Sequence, residues 1–222
     1  MGPQEEERNR GGRPPRLTLD DIVRASEKIV RREGANALTM RRLAKDLDAS
    51  PMAMYRHVAD KDQLLVLVLD RIVAHIERPE LPQDPRGRLM VLWQLLHSEL
   101  STRPWAVEVL VAGDVMAPSV MWLVEDILSA FVDAGLDHTE AATAYRAVWQ
   151  YTIGEIIVHT STDQRTAELT RSPHAITMIS KADQTTMPHL AHLADQWTAA
   201  RKSNAYPVGL SAMVDGFIGS RS

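Results

Sequence analysis

The chain has 222 residues, 45% of them hydrophobic, with 25 Lys/Arg against 29 Asp/Glu and no cysteine. That apolar content suffices for a buried core, and the missing cysteine excludes disulfides, thiolate metal sites and a cysteine nucleophile. No signal-peptide pattern opens the sequence and no apolar run reaches the ~20 residues of a membrane span, so a soluble, cytoplasmic protein with no membrane partner is expected. The net charge of −4 hides an asymmetry: residues 8–77 carry 14 Lys/Arg against 10 Asp/Glu, net +4, and residues 78–222 carry 11 against 16, net −5. A basic N-terminal module on an acidic body permits nucleic-acid binding without establishing it.

Residues 1–16 are polar, contain Gly11, Gly12, Pro14 and Pro15, and read as a flexible arm bearing Arg8, Arg10, Arg13 and Arg16. Thr18 suits an N-cap, with Asp21 adding negative charge to the first turn. Ile22, Ala25, Ile29 and Val30 then follow at helical spacing until Gly34. Thr39 caps a short second helix with Leu43, Ala44 and Leu47 on one face. Asp48 and Ala49 make a turn, and Ser50 caps a third helix that starts at Pro51, where a missing N–H does no harm. Asp60 caps a fourth helix running through Leu64, Leu67, Val68 and Ile72 toward Glu77. Pro79, Pro82 and Pro85 break helix and mark a linker. Beyond it helices are predicted near 87–102, 104–112, 118–134, 139–160, 187–202 and 207–219, separated at Pro104, Pro118, Gly135, the polar stretch 161–173 and Pro207. With no period-two alternation of useful length, the expected fold is all-α, divided into an arm (1–16), a helix-turn-helix domain (17–77) and a larger helical bundle (78–222).

The stretch 38–65, LTMRRLAKDLDASPMAMYRHVADKDQLL, carries the functional signal. Two short capped helices around a tight turn can form a helix-turn-helix whose second helix enters the major groove. Ala44 is small where the helices cross, and Met54 and Val58 supply the inner side of the second helix. At ~100° per residue, Met52 and Arg56 lie opposite Met54, leaving a short outer face that fits a groove about 12 Å wide.

This stretch resembles the DNA-binding domain of TetR-family regulators, which follow the pattern L(S/T)xRxLAxxLGxSxxxLYxHFxxKxxLL. The matching residues are Leu38, Thr39, Arg41, Leu43, Ala44, Leu47, Ser50, Tyr55, His57, Lys61, Leu64 and Leu65, and GRPPRLTLDDIVRAS resembles the family's opening helix. Three positions depart from the pattern: Asp48 stands at the usual Gly, Met54 at the usual Leu and Val58 at the usual Phe. The resemblance implies a dimer that binds a double-stranded DNA operator and is released by a small-molecule effector of unknown identity. Its DNA contacts fall on Thr39, Arg41, Ser50, Pro51, Met52, Ala53, Tyr55, Arg56, His57 and Lys61. Thr39 and Lys61 suit phosphate, the latter because a cation in a first helical turn otherwise opposes the helix dipole. Arg56 is the leading base-reading candidate through guanine O6 and N7, with Met52 and Ala53 placed to touch thymine methyls. Each carries a plainer reading as well, in which Thr39 is a cap, Tyr55 and His57 pack between helices, and Arg56 contacts phosphate or solvent.

In the body, Tyr206 to Phe217 (YPVGLSAMVDGF) is similar to the last helix of the family branch that includes the tetracycline repressor. The apolar stripe Leu210, Met213, Val214 and Phe217, with Ala142, Tyr145, Trp149, Ile153, Ile156 and Ile157 of helix 139–160, could pair across a twofold axis. The alternative is that both stripes are intrachain core. For an effector pocket the aromatic and polar candidates are Trp93, His97, Trp105, Met116, Trp122 and Trp149, with Met121 and His159 nearby in the pattern, although Trp and Met at helical spacing are commonly core. No cofactor and no metal site is implied, because His97 and Glu99, two apart on a helix, do not share a face. Motifs of nucleotide binding, zinc proteolysis and serine hydrolysis are missing, so an enzyme is disfavoured. A ligand-binding helical protein that has lost DNA binding is the other alternative, and Thr39, Tyr55, His57 and Lys61 speak against it.

Overall fold

The computed structural model describes residues 17–113, 117–168 and 174–219, so the arm of residues 1–16 and Met116 lie outside the described residues. The chain divides into two compact units between Ile72 and Val73.

The first unit holds α1 (Leu19–Glu33), α2 (Met40–Asp46), α3 (Pro51–Tyr55) and all but the last residue of α4 (Lys61–Val73). Its helix starts follow from local chemistry. Thr18 and Asp21 form a reciprocal capping box, each side chain satisfying a free N–H near the other. Thr39 Oγ1 accepts from Arg42 N at 3.2 Å, and Ser50 Oγ accepts from Ala53 N at 3.2 Å with Pro51 in the first helical turn. Asp60 Oδ1 accepts from Gln63 N at 2.8 Å, while Gln63 Oε1 accepts from Ala59 N at 2.6 Å. α4 ends at Val73, short of the expected Glu77, consistent with Pro79 biasing the chain before it away from helix. Ile22, Leu38, Leu43, Met54, Leu64 and Val68 are fully buried. Arg71 on α4 pairs with Asp20 (2.7 Å) and Glu27 (3.0 Å) on α1, fixing how those helices lie together.

The second unit holds α5 (Pro85–Ser101), α6 (Pro104–Gly113), α7 (Met121–Asp133), α8 (His138–Glu168), α9 (His174–Ile179), α10 (Pro188–Leu193), α11 (Trp197–Lys202) and α12 (Tyr206–Gly219). α5, α7, α8 and α12 enclose a core centred on Leu89, Trp93, Ile127, Phe131, Val148 and Leu210. Arg86 on α5 donates to both oxygens of Asp215 on α12 (2.6 and 2.9 Å) and to Ser211 Oγ at 2.7 Å.

Several boundaries differ from those expected. α5 begins at Pro85 rather than 87: Asp84 caps it by accepting from Gly87 N at 2.7 Å, which makes Pro85 a helix start and not a breaker. α8 runs eight residues past the expected end at 160, because residues 161–168 contain neither Gly nor Pro and polarity alone does not stop a helix. The expected 118–134 helix opens as a 3-10 turn over Pro118–Val120. The expected 187–202 helix is instead α10 and α11; α10 has no buried residue, so no packed face holds a continuous helix there. α9 was not expected at all.

Two helices end in the same hydrogen-bonded motif, with the next residue in the left-handed region. After α2, Asp48 (φ 47°) donates to Lys45 O and Ala49 N to Ala44 O at 2.8 Å; after α7, Gly135 (φ 102°) donates to Val132 O and Leu136 N to Phe131 O. Asp48 thus takes the conformation for which the family pattern uses Gly. It is the one non-glycine residue with positive φ among the described residues.

Candidate nucleic-acid interface and effector body

The turn at Asp48 and the caps at Thr39 and Ser50 set how α2 and α3 meet. Met54, fully buried, fixes which side of α3 faces in. Its opposite side carries Met52, 72% exposed, and Tyr55, 52% exposed, is also turned outward. Pro51, Arg56 and His57 are exposed and Ala53 is half-buried, while Val58 returns to the core. Arg56 is the residue just past the last turn of α3, and Lys61 is the first residue of α4, half-buried at its stem. Arg41 is exposed on α2. The adjacent Arg42 is committed elsewhere: it forms paired bonds of 2.7 and 2.8 Å to Glu33, and those bonds hold the Glu33 carboxyl below the usual carboxylate range. Met52, Tyr55, Arg56 and His57 are thus all exposed at and just beyond α3, and Thr39 and Ser50 cap helix starts.

The body distributes its candidates differently. Trp93 is fully buried, its ring 5.5 Å from Tyr145, and its indole N–H has no hydrogen-bond partner among the described residues. His97 Nε2 lies 2.6 Å from Glu155 Oε2 and the His97 ring stacks on Tyr206 at 3.8 Å. Trp122 instead lies beneath the Arg78 guanidinium at 4.9 Å. Trp105 and Trp149 are half-buried, the latter against the core. Of the pocket candidates among the described residues, Trp93 and His97 meet through Tyr206.

Tyr206 was not singled out from sequence. Its hydroxyl sits 2.9 Å from Thr152 Oγ1 and donates to the Trp93 carbonyl at 3.3 Å, and burial pushes its ionisation up to about 12. The Tyr151 ring lies nearly parallel to that of Tyr206 at 5.5 Å, and its hydroxyl donates to the Tyr206 carbonyl at 3.3 Å. A Cβ at Gly209 would stand 2.1 Å from Tyr151 Oη, so a larger residue there would have to displace the Tyr151 ring. No local signal marks this cluster, because Tyr206 lies 54 to 113 positions from the residues it bonds.

The residues expected at a dimer interface also meet the interior of their own protomer. Leu210, Ile153 and Ile156 are buried, and Tyr145, Trp149, Met213 and Phe217 pack against the same intrachain core, Phe217 edge-on to Phe131 at 6.4 Å. An apolar stripe read from periodicity cannot say which partner it faces. Among the described residues of the same two helices, the exposed large apolar positions are Ile157, Val158 and Val208, and Ala142, Gly154, Ala212 and Gly216 are exposed as well. Among the described residues, no group of three or more His, Asp or Glu side chains is placed to hold a metal ion, and no helix is long and apolar enough to cross a membrane.

Against known families, residues 22–68 match the model of bacterial regulatory proteins of the tetR family, and residues 78–219 match the tetracyclin repressor-like C-terminal domain. The chain belongs to the TetR family. As a TetR-family regulator it is similar to the HTH-type transcriptional repressor DrrR1 of Streptomyces coeruleorubidus, 32% identical over 145 residues, which span 64% of this chain but only 54% of that repressor. It is also similar to the tetracycline repressor protein class E of Escherichia coli, 28% identical over 67% of this chain and 72% of that protein. Among solved structures, the TetR family protein ActR of Streptomyces coelicolor, in complex with (S)-DNPA, superposes with a TM-score of 0.75 at 25% identity, covering 92% of this chain and 98% of ActR.

Proposed function

We propose that this TetR-family regulator is a homodimeric repressor that binds a palindromic DNA operator and is released by a small-molecule effector held in its helical body. The observation that carries the reading is the exposure of Met52 and Tyr55 on α3 and of Arg56 and His57 just beyond it, with Met54 fully buried on the inner side. Thr39, Arg41, Ser50, Pro51, Ala53 and Lys61 complete the contact set, with Thr39 and Lys61 on phosphate. One copy of so short a helix makes few contacts. Two copies about 34–36 Å apart would read successive turns of one groove face.

Dimerisation would use the outer faces of α8 and α12, through Ile157 and Val208 with the small residues Gly154, Ala212 and Gly216, rather than the stripes that fill the protomer core. The effector would act in the α5–α8–α12 seam around Trp93, His97 and Tyr206, where a buried donor lacks a partner and an imidazole–carboxylate pair is partly open to solvent. ActR, a TetR-family protein of like fold, was crystallised with the small molecule (S)-DNPA, which supports an effector role for this body. Release requires the effector to prefer the conformation that does not fit the operator. Such a protein works by binding and not by catalysis, in the cytoplasm where the bacterial chromosome lies. The divisions 1–16, 17–77 and 78–222 then serve as arm, reading head, and effector and dimerisation body.

The test is selection of bound sequences from a random duplex pool at two salt concentrations. A recovered palindrome whose binding weakens with salt is the expected result. Recovery of nothing above background refutes the repressor reading.

A further inference from the structure

We infer that α3 reads its operator mainly through thymine methyl groups, with Met52 as the specificity-determining side chain, and that Arg56 holds phosphate and not a base. This rests on the operator-binding reading above and names its chemistry.

The sequence of α3 is Pro-Met-Ala-Met-Tyr, so the helix carries no Asn, Gln, Arg or Lys able to bond a base edge in bidentate fashion. Met54 is fully buried, and Met52, about 200° away round the helix, is turned fully outward. A lone exposed apolar side chain is ordinary on a protein surface. Met52 differs in its company. Pro51 before it has no N–H to donate, the Ser50 hydroxyl is engaged in capping Ala53, and Ala53 offers only a methyl. The outer surface of α3 is thus apolar up to the Tyr55 hydroxyl.

Arg56 shares the face of Met52 but sits beyond the helical turn. In a helix-turn-helix the first part of the reading helix enters deepest, and the chain beyond its last turn rises toward the backbone. There Arg56 and His57 are both exposed, and Lys61 follows at the start of α4. Three cationic or proton-donating side chains within six residues suit a line of phosphates and carry no base information. The only apolar group on a major-groove base edge is the C5-methyl of thymine. An apolar α3 can therefore distinguish bases chiefly by that group. Met suits the task, because its unbranched, polarisable chain adapts to the contact.

The experiment uses the full-length protein and the operator recovered by selection. Each thymine is replaced in turn by deoxyuridine, which removes one methyl and leaves every hydrogen-bonding group in place. One or two positions per half-site are expected to lose about fourfold in affinity, the equivalent of about 0.8 kcal/mol for one buried methyl. In Met52→Ala that penalty should vanish at the same positions, with circular dichroism confirming that the substitution at this exposed site leaves the fold intact. In Arg56→Gln the selected sequence should stay the same, while affinity falls uniformly and the salt dependence becomes shallower by about one phosphate contact per protomer. An operator insensitive to deoxyuridine at every position, or equally sensitive in Met52→Ala, overturns the methyl reading and leaves the repressor reading standing. A changed base preference in Arg56→Gln overturns the phosphate assignment. Failure to recover any operator overturns both readings together.

Discussion

The head of residues 17–72 and the body of residues 73–219 reach the same end, a buried helical core, from different kinds of information. In the head each helix starts at a capping side chain within three residues of the N–H it satisfies: Thr18, Thr39, Ser50 and Asp60. In the body the decisive contacts are distant in sequence. Arg86 meets Asp215 across 129 positions, and Tyr206 meets the Trp93 carbonyl across 113. A short-range signal can be read along the chain; a long-range one exists only after the helices have packed. The head is therefore where sequence reasoning about function is strongest, and the body is where its residue assignments had to be redrawn.

The sharpest way to break this comparison is to remove a body core side chain. Phe131→Ala should lower unfolding free energy by about 3–5 kcal/mol, read by urea denaturation, because Phe131 is fully buried in the body core. A loss under ~1 kcal/mol would mean that the body is not held by this core. Next in size, Lys61→Glu should weaken operator binding by about tenfold per protomer, and about a hundredfold for the dimer, with the melting temperature nearly unchanged. Unchanged affinity at low salt would take Lys61 out of the interface.

A pH experiment isolates the long-range cluster. Desolvation raises the folded-state ionisation of Tyr206 from an ordinary value near 10 to about 12. The folded protein therefore binds the proton more tightly than the unfolded chain. The resulting stabilisation is fully present below pH 10 and is lost as the pH climbs toward 12. Its size is on the order of 2 kcal/mol. Tyr206→Phe should flatten the stability profile between pH 10 and 12, and an unaltered slope would show that Tyr206 is not protected by burial.

The local signals should be individually smaller. Thr39→Ala and Ser50→Ala should each lower stability by about 1 kcal/mol, as loss of an N-cap does. At the small end, Asp48→Gly should raise the melting point slightly, by up to about 1 kcal/mol of stability, since φ is +47° there and glycine enters that region without steric strain. A destabilised Asp48→Gly protein would show that the Asp48 side chain makes a contribution beyond turn geometry.

How far the candidate site was legible varies with the same distinction. Met54 as the inner residue of α3, and Met52 as the outer one, follow from helical period alone and hold in the structure. The stripe Tyr145, Trp149, Ile153 and Ile156 is equally regular, yet regularity cannot separate a dimer face from a core face: Ile153 and Ile156 are buried within the protomer, and Tyr145 and Trp149 are half-buried against its core. The six pocket candidates are four Trp, one His and one Met. The structure joined Trp93 and His97 through Tyr206, sent Trp122 under Arg78, and left Met116 outside the described residues.

What the amino-acid sequence determined by itself was the helix starts of the first unit at Thr18, Thr39, Ser50 and Asp60, the turn at Asp48, and the register of the short α3. Each depends on groups a few residues apart, which meet as soon as a helix begins to form. Only tertiary structure decided which faces of α8 and α12 stay exposed and which aromatic residues meet in the α5–α8–α12 seam. Those outcomes turn on packing between segments a hundred residues apart, where any of several apolar faces could have been buried and the best-fitting set was.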